Sequence, residues 1–307
     1  MSLKDNRFTG VLPAALTPLK EDLTPDDGLL AQHCKWLLAN GSSGLAVLGT
    51  TGEANSFSLK ERIRIVESLV EAGVPGEKLL PGTGSCSLTD AVELTRVAVN
   101  AGAGGVLMLP PFYYKNPSDE GLYAFFSEVI QRVGDDRLQI YVYHFPQMSA
   151  TPISYNLIEM LLKAYPDTVA GMKDSSGVVE NMTGAVKNFP GFHVLSGADD
   201  LMLPVLQAGG AGAITACANV CSAPLSAVHA GFRSGQDVSA LQAQVTAVRQ
   251  TVAGFPLSAA LKQLMARHSG DQRWLRVRPP LMVLSDAQVA ELYSAFDAIG
   301  CDLPAAA

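Results

Sequence analysis

The sequence is short of the features that define several protein classes. No apolar run reaches the roughly 18 residues of a membrane-spanning helix, and Met1–Gly10 is polar, unlike a secretory signal. Cysteine is scarce: Cys34, Cys86, Cys217, Cys221 and Cys301 are odd in number and scattered, which argues against a disulfide framework. Cys217 and Cys221 have no partners at zinc-binding spacing, and His33, His193, His229 and His268 form no recognisable metal set. Positive charge is also short, with 22 Lys and Arg against 29 Asp and Glu and a net charge of −7. The basic run Arg273-Trp274-Leu275-Arg276-Val277-Arg278 is brief and reads first as a structural turn, so nucleic acid is not an expected partner. What is present is a 307-residue chain, 48% hydrophobic, which is ample for a large core. The expectation is a cytoplasmic α/β enzyme with no membrane partner.

Short, continuous apolar runs recur along the chain at Val11–Thr17, Gly44–Leu48, Leu79–Gly82, Gly105–Leu109, Leu138–Tyr143, Val169–Met172, Phe192–Leu195 and Gly212–Ala216. Continuity rather than alternation suits parallel strands buried on both faces. Seven helix-like stretches alternate with them, among them Gly28–Leu38, Lys60–Glu71 behind a Ser58 cap, Thr89–Ala101, Ser118–Val133 and Thr151–Ala164. Thr151-Pro152 reads as the start of the last of these, since proline is tolerated in a first turn. Eight strands alternating with helices predict a (β/α)8 barrel, with a doubly wound open sheet as the competitor. Residues 226–307 carry few glycines and helical patterns at Val238–Val252, Leu257–Ala266 and Asp286–Ile299, and read as a helical extension packed on a barrel of residues 1–225.

In such a barrel the active site lies where strands end. Four predicted strand ends carry reactive groups: Gly49-Thr50-Thr51-Gly52-Glu53, Pro110-Pro111-Phe112-Tyr113-Tyr114, Tyr143-His144-Phe145-Pro146 and Met172-Lys173-Asp174. Lys173 admits two readings, a loop lysine paired with Asp174 or a nucleophile. A desolvated lysine sheds its proton more readily, and the neutral amine attacks carbonyl carbon to form a Schiff base. Thr50 and Thr51 stand between two glycines, in a turn whose N–H groups and hydroxyls can hold a small carboxylate. Tyr143 and Tyr113 are packing residues or proton shuttles. Together these groups suit chemistry on a 2-oxo acid.

These motifs, with Leu16-Thr17-Pro18 and Gly197-Ala198-Asp199-Asp200, resemble the dihydrodipicolinate synthase / N-acetylneuraminate lyase family of Schiff-base-forming class I aldolases from about Gly10 to Pro280. The resemblance implies a barrel with a C-terminal helical extension, assembled as a homotetramer of two tight dimers. It implies that Lys173 forms an imine with pyruvate or another 2-oxo acid, with no separate cofactor and no metal. Tyr143 would relay protons, Thr50 would link Tyr143 into the relay, and Tyr113 would be the tyrosine lent by a neighbouring subunit. Thr51 with Gly49 and Gly52 would hold the carboxylate, and Gly197 and Ile214 would line the pocket through backbone groups.

The departures bear on substrate. Family members that condense pyruvate with aspartate semialdehyde carry an arginine two residues after the Tyr-x-x-Pro proline. Met148 stands there, and a thioether cannot replace a bidentate guanidinium contact. His144 replaces the usual asparagine and reads either as a contact to a sugar-acid hydroxyl or as a packed rim residue. Asp199 is a second candidate contact. The leading expectation is cleavage of a 2-keto-3-deoxy sugar acid or 4-hydroxy-2-oxo acid to pyruvate and an aldehyde. Dehydration through the same imine is the second reading, and the condensation is the third. A non-catalytic 2-oxo acid binder and a phosphate-ester enzyme using Gly209-Gly210-Ala211-Gly212 come last.

Overall fold

A computed structural model describes residues 7–301 and 303–305. The polar stretch Met1–Asn6, and Asp302, Ala306 and Ala307 of the expected extension, lie outside the described residues. Six parallel strands, β1 (Gly10–Pro13), β2 (Val106–Met108), β3 (Ile140–His144), β4 (Val169–Asp174), β5 (His193–Ser196) and β6 (Gly212–Thr215), run in the order β1-β6-β5-β4-β3-β2. The gap between β1 and β2 is filled by the two remaining apolar runs. Segment 43–47 bonds to β1 (Ala46 N to Pro13 O, 2.9 Å) and to segment 78–83 (Leu80 N to Leu45 O, 2.8 Å). The latter bonds to β2 (Leu107 N to Pro81 O, 2.9 Å). The sheet therefore closes as eight segments.

Two predicted strands are thus corrected to segments joined by single bridges, Leu45 to Leu79 and Gly82 to Leu107. Pro13 offers no N–H to continue the ladder on the β1 side. The helices fall near their predicted places, and Leu59–Glu71 begins on the expected Ser58–Glu61 capping box. One start is wrong: the helix begins at Tyr155, capped by Ser154, four residues beyond Thr151.

Side chains from all eight segments fill the barrel: Leu12, Ala46, Leu80, Leu107, Tyr141, Ala170, Leu195 and Ile214, with Tyr143 nearer the mouth and Phe8 at the other end. The opposite faces of the strands pack against the surrounding helices in two larger apolar clusters. After β6, helix Ala218–Arg233 leads into Ser239–Ala253, Leu257–Ser269 and Asp286–Ile299. No described helix is long and apolar enough to cross a membrane.

Candidate active site

The site starts from an irregularity between β3 and β4. Ile140 pairs with Val169, but Tyr141 pairs with Gly171, so β4 holds one extra residue. A bulge of this kind re-aims the side chains that follow it. Beyond it Tyr143 lies directly beside Lys173. Both are buried, and the Lys173 ammonium sits over the Tyr143 ring, 4.4 Å from its centroid. Phe145 stacks on the same ring at 5.7 Å, which fixes its plane. The Tyr143 hydroxyl is 3.4 Å from Thr50 Oγ1. Three predicted residues from three separate strand ends therefore meet at one end of the barrel.

The turn carrying Thr50 is bracketed by two non-glycine residues in left-handed conformation, Leu48 (φ 56°) and Glu53 (φ 59°). Each such residue costs on the order of 1 kcal/mol and persists only where its surroundings enforce it. Gly52 is required by packing, because a Cβ there would lie 2.7 Å from Ala15 O, and its own carbonyl accepts from Thr17 Oγ1 at 2.9 Å. Gly49 faces open space instead. Thr51 is buried, and its carbonyl accepts from Ser258 Oγ at 3.2 Å. The turn thus presents its threonines from a fixed backbone.

Other predicted residues fall elsewhere. Tyr113 is 72% exposed and packs edge-on against Tyr114, so within one chain it does not reach Tyr143. Met148 is 62% exposed on the short helix Pro146–Ser149, which the sequence reading missed. His144 is buried, and its Nδ1 accepts the Ile153 N–H at 2.9 Å. Burial pushes its imidazole down, opposed by Asp174, and the ring acts as a structural acceptor rather than an open sugar contact. Asp174 is not paired with Lys173 as the plainer reading supposed; its carboxylate accepts from Ser176 N and Asn181 Nδ2. Asp199 is likewise withdrawn from the mouth. It is 1% exposed, its carboxyl is raised by burial against the pull of Thr215 and Arg249, and Gln242 donates to its carbonyl. Gly197 permits a close crossing, since a Cβ would lie 2.7 Å from Asp174 O. Ile214 contributes its side chain to the barrel interior.

One neighbour went unrecognised. Arg62 lines a small cavity together with Thr50 and Tyr143, and its Nη2 donates to the carbonyls of Gly82 (2.9 Å) and Gly84 (3.1 Å). Burial pushes its guanidinium down to about 10, with Asp90 opposing, so it remains a cation at neutral pH. Its signal was available: Arg62 shares the buried stripe of its helix with Ile65, Val66 and Leu69. Among the described residues no group of three or more His, Cys, Asp or Glu could hold a metal ion.

The model of the dihydrodipicolinate synthetase family matches residues 7–299. A DapA-like lyase of Chloroflexus aurantiacus is 35% identical over 291 residues, 94% of this chain and 96% of the relative. The 4-hydroxy-tetrahydrodipicolinate synthase of Agrobacterium fabrum is 32% identical over 278 residues, 90% of this chain and 92% of its own length. Among solved structures, dihydrodipicolinate synthase from Agrobacterium tumefaciens superposes with a TM-score of 0.88 at 32% identity, covering 95% of this chain and 99% of that one. YagE from E. coli K12, solved in complex with pyruvate, also reaches 0.88, at 25% identity with 96% and 99% covered.

Proposed function

The chain belongs to the dihydrodipicolinate synthetase family, whose members are lyases, and on that premise we propose that it is a Schiff-base lyase cleaving a 4-hydroxy-2-oxo acid to pyruvate and an aldehyde. The observation that carries this reading is the cluster of buried Lys173 and Tyr143 with half-buried Thr50 at one strand-end mouth. In the reaction, the neutral Lys173 amine attacks C2 of the substrate and water leaves, giving the imine. The protonated imine is an electron sink for the C3–C4 bond. Tyr143 takes the proton of the C4 hydroxyl, the bond breaks, the aldehyde departs, and an enamine remains on Lys173. Protonation at C3 and hydrolysis release pyruvate and restore the amine. The covalent imine fills the role that a separate cofactor would have. Thr51 and the turn around it bind the C1 carboxylate. Tyr113, exposed in one chain, serves the site of a neighbouring copy in a tetramer.

On the substrate, Met148 supports the cleavage reading. It puts a thioether where a guanidinium would hold a second carboxylate, which favours a sugar-type or other uncharged aldehyde half. The names of the curated relatives favour a second reading, condensation of pyruvate with aspartate semialdehyde. The experiment is borohydride trapping with pyruvate, followed by peptide mass spectrometry. Reduced pyruvate on Lys173, absent in Lys173→Ala, is the expected result. A chain that binds pyruvate without forming the adduct is a binder and not this enzyme. Activity towards aspartate semialdehyde exceeding that towards 2-keto-3-deoxy sugar acids would select the condensation.

A further inference from the structure

The turn that presents Thr50 and Thr51 is held from outside the barrel as well as within it. Glu53 ends the turn, and its side chain is fully buried. One carboxylate oxygen pairs with Lys262 of helix Leu257–Ser269, whose side chain is 1% exposed. The other accepts the Arg278 N–H at 2.8 Å. Lys262 Nζ also donates to Arg276 O at 2.7 Å, so both partners are hydrogen-bonded more than once. Ser258 lies four residues before Lys262, on the same face of that helix, and it donates to Thr51 O. One helix face therefore grips the turn at two points, Thr51 and Glu53, on either side of Gly52.

Stability does not account for this arrangement well. Desolvating two charges offsets most of their attraction, so a buried ion pair contributes little net stability. It does penalise displacement, because a shift of the turn would strand Glu53 or Lys262 unpaired in a medium that cannot solvate them. Burial pushes the Lys262 amine down while Glu53 holds it up, and the geometry shows which influence matters for the turn: the ammonium is seated between Glu53 and Arg276.

We propose that Lys262, together with Ser258, is a positioning residue that acts through Glu53 to fix the Thr50-Thr51 turn against Tyr143 and Lys173. The C-terminal extension is in this sense a working part of the active site. The proposal rests on the Lys173 imine reading, although Lys262 touches neither the substrate nor the reacting atoms.

The test is borohydride trapping on the full chain over a range of pyruvate concentrations, with melting temperature measured alongside. Ser258→Ala removes one contact without stranding a charge. It should raise the half-saturating pyruvate about 3- to 10-fold, the effect of one hydrogen bond, while the trapping rate at saturation holds and the melting temperature falls by no more than roughly 2–4 °C. The double variant Glu53→Gln with Lys262→Met removes both charges together. It should raise half-saturation at least about 10-fold and also slow trapping at saturation, since Thr50 is released as well. Wild-type half-saturation in both variants overturns the proposal, whatever their melting temperatures. If the double variant does not fold, Ser258→Ala decides alone. If wild-type protein is never labelled, the imine reading has failed, and the same shifts are then read from pyruvate affinity by calorimetry. Unchanged affinity there overturns the positioning role independently.

Discussion

Replacing Tyr143 with phenylalanine separates chemistry from packing at this site. The ring that lies under Lys173 and stacks on Phe145 is retained, so the cation–π contact and the plane of the side chain survive. Only the hydroxyl is lost, and its side-chain partner, Thr50 Oγ1, stands at 3.4 Å, a long hydrogen bond. A bond of that length contributes less than about 1 kcal/mol, which in a chain of this size moves the melting temperature by roughly 2–4 °C at most. A positioned general acid–base group is worth about 10²- to 10⁴-fold in rate, or roughly 3–5 kcal/mol of barrier. The expected variant is folded, nearly as stable as the parent and at least about 100-fold slower in kcat. Steady-state release of pyruvate and a thermal melt measure the two quantities. A Tyr143→Phe enzyme within threefold of the parental kcat would refute the relay. A collapse in stability matching the loss of rate would show that the hydroxyl is structural.

Acid should weaken the fold through His33. Burial pushes its imidazole down to about 4, with the Asn219 hydrogen bond opposing. Between pH 6.5 and 4 the unfolded chain holds the extra proton, so the stability that neutral His33 confers is present above 6.5 and lost as pH falls through that window. From pH 7 to 5 this amounts to about 2 kcal/mol. His33→Gln should lose that share of the pH dependence in urea unfolding, and an equal drop in both proteins would rule it out. Met148→Arg adds a cation at the exposed rim and should improve binding of a dicarboxylate 2-oxo acid over pyruvate about two- to fivefold, the scale of an exposed ion pair. Unchanged selectivity would place position 148 outside the substrate's reach. Gly197→Ala forces a methyl against Asp174 O and should cost about 1–3 kcal/mol by urea titration; a neutral substitution would mean that the β4 and β5 ends yield freely.

The barrel was legible because its evidence is local. Buried parallel strands must be short and continuously apolar, and each of the eight runs became a strand or a bridging segment of the closed sheet. The candidate cluster was legible by residue order, but residue type alone left each member a plain structural reading: a paired lysine, a packing tyrosine or a capping threonine. It was the family resemblance that singled out Lys173, Tyr143 and Thr50 together. The wrong helix start shows where local rules stop. Thr151-Pro152 suits a first turn, but the Ile153 N–H is already bound to His144, a residue from the preceding strand, so the helix waits for Ser154. A similar fate met Asp199, which helix Ser239–Ala253 covers.

By itself, then, the sequence determined which segments are buried, their alternation, and which residue types stand at the strand ends, because periodicity and residue type act over a few residues. Tertiary structure alone decided that Lys173 faces the Tyr143 ring, which depends on one extra residue in β4 against β3. It also decided that Glu53 is held by Lys262, 209 residues further along the chain. Both charged intruders, Arg62 and Lys262, sit on otherwise apolar helix stripes, so their burial was legible from spacing. Their partners were not, because which buried groups meet is set by how distant elements pack, and no pattern along the chain encodes that distance.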